Sequence, residues 1–195
     1  GPVGKFPSIK ESFYWSKPIY LMTGFRIIML PKNHKKLNYP DEISMNDLLK
    51  NKDFMFGHIS GLLHYPVEFE KFKNQKNIHI ISSSAPLTHL LKMMRKKRID
   101  WVYDHPVFVK WESMIENHFQ EPLATIRIKE NRNKPKIIGY FACAKNDFGK
   151  EIIGNINKKL TKERILLFRS HIKKWQLNRE TLTSFEKINQ DFFGY

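Results

Sequence analysis

The chain is poor in cysteine. Cys143 is the only one in 195 residues, so no internal disulfide can form and no zinc site can be built from thiolates alone. It sits in the apolar run GYFACAKN, which suits a small buried hydrophobe better than a reactive thiol. No 18 uncharged apolar residues run together, so no membrane-crossing helix is expected. The start of the given sequence lacks a charged-then-apolar secretion signal. The eight histidines show no i, i+4 pair and no HExxH, so a metal centre is not expected. A P-loop, a nucleophile elbow and a Rossmann glycine pattern are also absent, and so is a second carboxylate well placed for acid–base work; no catalytic residue and no cofactor are expected.

Positive charge is abundant. Lys and Arg outnumber Asp and Glu by 34 to 19, for a net charge of +15. The cations are scattered in short clusters, KNHKK at 32–36 and RKKR at 95–98 among them. Zinc-finger spacing, a basic zipper and an aromatic RNA-binding signature are missing, so a nucleic-acid partner is set aside in favour of a solvated lysine-rich surface. An acidic membrane surface remains as a weak anionic partner.

Hydrophobic residues make up 41% of the chain, enough for a globular core. Residues 1 to 20 read as irregular, punctuated by proline. FRIIML at 25–30 reads as a buried strand and KNHKKLNYPDE as a polar loop. Ser44 caps a helix over ISMNDLLKNK. DFMFGHIS is a strand ending at Gly61, and PVEFEKFKN a helix opened by Pro66. NIHIISS is a strand. PLTHLLKMMRKK is a helix with Leu87, Leu90, Leu91 and Met94 on one stripe. RIDWVYD is a strand, PVFVKWESMIENHF a helix, and ATIRIKEN and KIIGYFACAK are extended runs before a helical C-terminal region. This alternation predicts an α/β protein with a mostly parallel sheet.

In such sheets ligands bind beyond the carboxyl ends of the strands. Asp104 ends one predicted strand and Gly61 follows another. A carboxylate there can accept hydrogen bonds from an amine, and a glycine lets a backbone N–H come close to a ligand. Asp104 can equally serve as a cap for the Pro106 helix, and Gly61 taken alone is a turn glycine.

Several segments, in order, resemble the amino-acid-binding (family 3) type of bacterial extracellular solute-binding proteins, the two-lobed periplasmic-binding-protein-like receptors of ABC transport. FYWSKPIYL is similar to the family's aromatic-Ser-x-Pro stretch, and FRIIMLPKN to its first crossover strand. ISMNDLLKNKDFMFGHISG resembles the opening of the second lobe. LKMMRKKRIDWVYD resembles a helix and a strand ending on aspartate. IIGYFACAKNDFGKEIIGNINKKL is similar to the return crossover and HIKKWQ to a late helix. The match runs from about residue 13 to about residue 178.

The resemblance implies a two-lobed fold: residues 1–30 and 137–195 as a partial first lobe, 31–136 as a second α/β lobe, and a hinge at 25–31 and 137–145. It implies that the first lobe is incomplete, because family members carry a further βαβ-rich segment before the aromatic-Ser-x-Pro stretch. Asp104 falls where relatives hold an α-amino group. Gly61 falls where backbone N–H groups and a hydroxyl meet a carboxylate, but Leu62 and Leu63 stand in place of hydroxyl residues, leaving Ser60 as the nearest substitute. Lys97 stands where a helix-ending glycine is common. Ser83 lines the hinge side of the cleft, and Trp15, with Tyr14 and Tyr20, is either a stacking platform or core.

The function implied is capture of a small, polar, amino-acid-like ligand outside the cytoplasm, without catalysis. A membrane transporter or another copy of the chain is the further partner. The alternative is a degenerate member acting as a basic scaffold without a ligand.

Overall fold

A computed structural model of the chain describes residues 3–4, 10–62, 66–115, 123–133 and 136–194. In chain order the elements are β1 (Val3–Gly4), β2 (Phe13–Trp15), β3 (Tyr20–Thr23), β4 (Arg26–Met29), α1 (Pro31–Lys36), β5 (Glu42–Ile43), α2 (Met45–Lys50), β6 (Phe56–Ile59) and β7 (Ile78–Ile81). They continue with α3 (Pro86–Arg95), β8 (Trp101–Asp104), α4 (Pro106–Ile115), β9 (Ala124–Ile128), β10 (Lys136–Tyr140), β11 (Ala142–Ala144), α5 (Asp147–Lys159), α6 (Lys162–Lys174) and α7 (Arg179–Phe193).

The chain divides into two compact units. The first comprises residues 1–23, 136–174 and 182–195, the second 24–135 and 175–181. The second unit begins at Gly24, and β4 is hydrogen-bonded on both sides to its strands.

The second unit is built on a six-stranded sheet ordered β5-β9-β4-β8-β6-β7. Five strands run one way; β4 alone is antiparallel to both neighbours. The sheet is therefore mostly parallel, with its central strand reversed. Pleating sends alternate residues of each strand to opposite faces. Ile27, Met29, Trp101 and Tyr103 enter one core with Met45, Leu48 and Leu49 of α2. Ile28 and Val102 enter the other with Leu87, Leu90, Leu91 and Met94 of α3. Trp101 is fully buried and stacks on Phe56 with ring centroids 4.0 Å apart. Gly57 lets α3 approach β6 closely: a Cβ there would lie 2.5 Å from Ile99 Cδ1 and 2.7 Å from Leu90 Cδ2.

Two local expectations are corrected. KNHKKLNYPDE is not all loop, since Pro31 at the first helical position starts α1, whose Asn33 is anchored by a tertiary partner. PVEFEKFKN is not a helix beyond a 3-10 turn at Phe69–Lys71: Phe69 and Phe72 are buried three apart, a spacing one short turn satisfies. Trp111 is half exposed and meets Trp175 edge-on, with centroids 4.9 Å apart.

The first unit carries a three-stranded antiparallel sheet, β1-β10-β3, and the pair β11-β2. Thus residues 3–4 and 13–15 of the expected irregular region are extended and paired. The Asn189 side-chain amide, fully buried on α7, donates to Leu21 O at 3.3 Å and to Phe185 O at 2.8 Å, occupying a carbonyl of β3.

Candidate ligand-binding site

β8, β6 and β7 are parallel neighbours, so their carboxyl ends share one rim of the second unit. That rim holds Asp104, the Ser60–Gly61 turn and the loop containing Ser83. The Ser60 N–H donates to Ile81 O at 2.8 Å, tying the turn after β6 to the end of β7. Leu62 N–H closes the turn onto Ile59 O at 3.2 Å. Gly61 has φ +80 and open space where a Cβ would lie, so its backbone is approachable and a larger residue there is strained. Ser60 and Ser83 are exposed. Leu62 is half buried and packs against the core cluster around Trp101. Leu63 lies outside the described residues.

Asp104 is only 8% exposed. Its Oδ1 accepts the His105 N–H at 2.6 Å, at the mouth of α4. Burial pushes its pKa up to about 7; the His105 hydrogen bond opposes this and the Glu112 charge adds to it. Glu112 Oε2 in turn accepts the Thr88 hydroxyl at 2.5 Å. Asp104 therefore combines a helix-entry hydrogen bond with a carboxylic acid poised near neutrality. A cation placed beside it would favour the ionised form.

Arg26 opens β4 as the Cα partner of Asp104. It is buried, its guanidinium lies 3.7 Å from Glu180 Oε1, and burial lowers its pKa, with Glu180 opposing the shift. Glu180 arrives on the 175–181 segment. The same segment receives the Lys110 ammonium at Gln176 O (2.8 Å) and sends the Asn178 amide to Thr125 Oγ1 (3.0 Å). An aromatic file runs beside Asp104: Tyr103 stacks on Phe25 at 4.7 Å, Phe25 meets His105 at a tilt with centroids 3.9 Å apart, and His105 meets exposed Phe108 edge-on at 5.5 Å.

The rim thus gathers Asp104, Ser60, Gly61 and Ser83. Trp15 belongs to the first unit, where its indole N–H donates to Lys10 O at 2.8 Å and its ring meets Tyr140 edge-on. Sequence reasoning missed Glu112 and Glu180. Glu112 is one acidic position in a helix, and Glu180 is brought in from the far end of the chain. Among the described residues no three His, Cys, Asp or Glu side chains form a group able to hold a metal, and no helix is long and apolar enough to cross a membrane.

No family model and no curated protein sequence matches the chain. Solved structures do. The periplasmic binding protein XoxJ from Methylobacterium extorquens AM1 is similar at 14% identity and a TM-score of 0.58, over 85% of this chain and 72% of that one. An amino acid ABC transporter substrate-binding protein from Streptococcus pneumoniae Canada MDR_19A, bound to L-arginine, is similar at 16% identity and a TM-score of 0.59, over 89% and 65%. An ancestral cationic amino acid solute-binding protein, AncCDT-1, is similar at 15% identity and a TM-score of 0.57, over 89% and 66%. The chain has the fold of the periplasmic solute-binding proteins. It spans about two thirds of the length of the last two of these.

Proposed function

We propose that this chain is an extracytoplasmic solute-binding domain that captures a small, polar, amine-bearing ligand of amino-acid type and works with a membrane transporter. The observation that carries the reading is the placement of Asp104 at the end of β8, on the rim that also holds the Ser60–Gly61 turn of β6. An ammonium group on Asp104 would stabilise its ionised form. The turn's backbone and Ser60 and Ser83 would supply polar contacts to the rest of the ligand, with Leu62 lending an apolar edge. Structural neighbours named for amino acid binding, one of them a transporter's substrate-binding protein with L-arginine bound, support this class of ligand. The role is capture rather than catalysis.

A thermal-shift screen against L-arginine, the other common amino acids and simple amines tests the reading. A ligand at a hundredfold over its Kd should raise stability by about 2.7 kcal/mol. Asp104→Ala should abolish that shift while the variant still unfolds cooperatively. Failure of every amino acid and amine to shift melting removes the proposal.

A further inference from the structure

The opposite rim of the second unit, where β6, β7 and β8 begin, is held by a buried polar knot. The Asn33 amide donates to Asp100 Oδ1 at 3.0 Å and to Asp100 O at 3.1 Å. Met55 N–H donates to Asp100 Oδ2 at 2.9 Å, and Asp100 N–H returns to Met55 O at 2.8 Å. The Asn77 amide donates to Leu49 O at 3.0 Å and Asn51 O at 3.1 Å, while Asn77 O accepts from Phe56 N–H. These bonds pin the segments before β6, β7 and β8 and the segment after β4 to one place.

Exposed cations adjoin Asn33, Asn51 and Asn77 in sequence. Lys32 precedes Asn33, Lys50 and Lys52 bracket Asn51, and Lys76 precedes Asn77. The exposed run Arg95–Lys96–Lys97–Arg98 leads into Ile99 and Asp100. Within these stretches the only carboxylates are Asp53 and Asp100, and Asp100 is engaged inside the knot. These stretches carry eight exposed positive groups against exposed Asp53, with exposed Asp47 one turn before Asn51 on α2.

We propose that this rim is a docking surface for an anionic phospholipid membrane. Six of the eight cations are lysines, compact charges that suit a diffuse field of headgroups. The stretches present no aromatic side chain on which a nucleic-acid base could stack, and the two arginines are a minority for base-edge recognition. The face is opposite the candidate ligand rim, so membrane docking and ligand capture do not compete for the same residues, and the inference stands apart from the ligand reading.

Co-sedimentation of the full chain with vesicles of phosphatidylcholine alone, and of phosphatidylcholine mixed with phosphatidylglycerol, tests it. Binding is expected to the anionic vesicles only, weakening as salt rises. Lys50→Gln, Lys52→Gln, Lys96→Gln and Arg98→Gln together should reduce partitioning at least tenfold. The same charge removed from the first unit, by Lys150→Gln, Lys158→Gln, Lys159→Gln and Lys162→Gln, should reduce it far less. If the rim variant melts below the assay temperature, Lys32→Gln with Lys76→Gln serves as the second rim variant, with a smaller loss in the same direction. Equal loss from both charge-matched variants, no binding to anionic vesicles, or tighter binding to duplex DNA than to vesicles at equal salt would each overturn the proposal.

Discussion

Arg26 and Asp104 face each other across the β4–β8 ladder, yet the Arg26 guanidinium lies 3.7 Å from Glu180 rather than pairing with the aspartate. Asp104 is left a buried acid with no cation beside it among the described residues: burial first and the Glu112 charge second raise its pKa to about 7, against the opposing His105 N–H hydrogen bond.

The first prediction concerns stability. The folded pKa of Asp104, about 7, lies above the ordinary aspartate value of 3.8. Between these values the native state binds more protons than the unfolded one. The contribution is therefore fully present below about pH 4 and lost as pH rises through about 7. Asp104→Asn should remove this dependence and melt higher than the parent above neutrality; the difference between the two melting curves from pH 4 to 8 checks it.

The same acid makes ligand capture pH-dependent. An ammonium ligand that pairs with ionised Asp104 should bind more tightly as pH rises toward and past about 7, releasing a proton on binding at lower pH. Calorimetry in buffers of different ionisation enthalpy reads the released proton directly. Pure hydrophobic capture would show none.

At the opposite rim, Asp100→Ala takes the acceptor from the Met55 N–H and one of two acceptors from the buried Asn33 amide, which keeps the residue-100 carbonyl. Loss of about 2–3 kcal/mol is expected, measured by denaturant unfolding.

Lys97 occupies the left-handed region at φ 58, just after α3. There its N–H bonds Met94 O at 3.0 Å and Arg98 N–H bonds Met93 O at 2.9 Å, as in a Schellman motif. Lys97→Gly relieves the Cβ crowding and should stabilise the chain by about 0.5–1 kcal/mol, the glycine's own chain entropy taking back part of the gain.

Glu130 supplies the fourth stability test. It accepts from the Ser44 hydroxyl at 2.8 Å and from the Met45 and Asn46 N–H groups at 3.0 and 3.2 Å, at the start of α2. Burial raises its pKa, but these hydrogen bonds together outweigh burial and the net shift is downward. Its contribution is present above the unfolded carboxylate range and lost as pH falls through the lowered folded value. Glu130→Gln should cost about 1 kcal/mol at neutral pH and less in acid.

Much of this was legible one segment at a time. The Ser44 cap, the Leu87–Met94 stripe, the Pro86 start of α3 and the strand ending on Asp104 are local: a hydroxyl three residues before a free N–H, or apolar residues at helical spacing, need no distant partner to declare themselves. The candidate rim followed from the parallel alternation that puts strand ends together. The reversal of β4 was not legible, because FRIIML reads the same in either direction and its neighbours β8 and β9 lie about 75 and 100 residues away. Asn33, in a polar stretch, looked like a loop residue for the same reason: its partner Asp100 is 67 residues distant.

By itself the sequence determined where α2 and α3 begin, which face of α3 is apolar, and that a carboxylate stands at the end of β8, since each depends on neighbours within a few residues. Only the tertiary structure decided that Arg26 turns to Glu180, that Asp104 is desolvated into a near-neutral acid, and that Lys-flanked asparagines converge on one rim. Those outcomes depend on burial and on pairings between segments tens of residues apart, which no local pattern encodes.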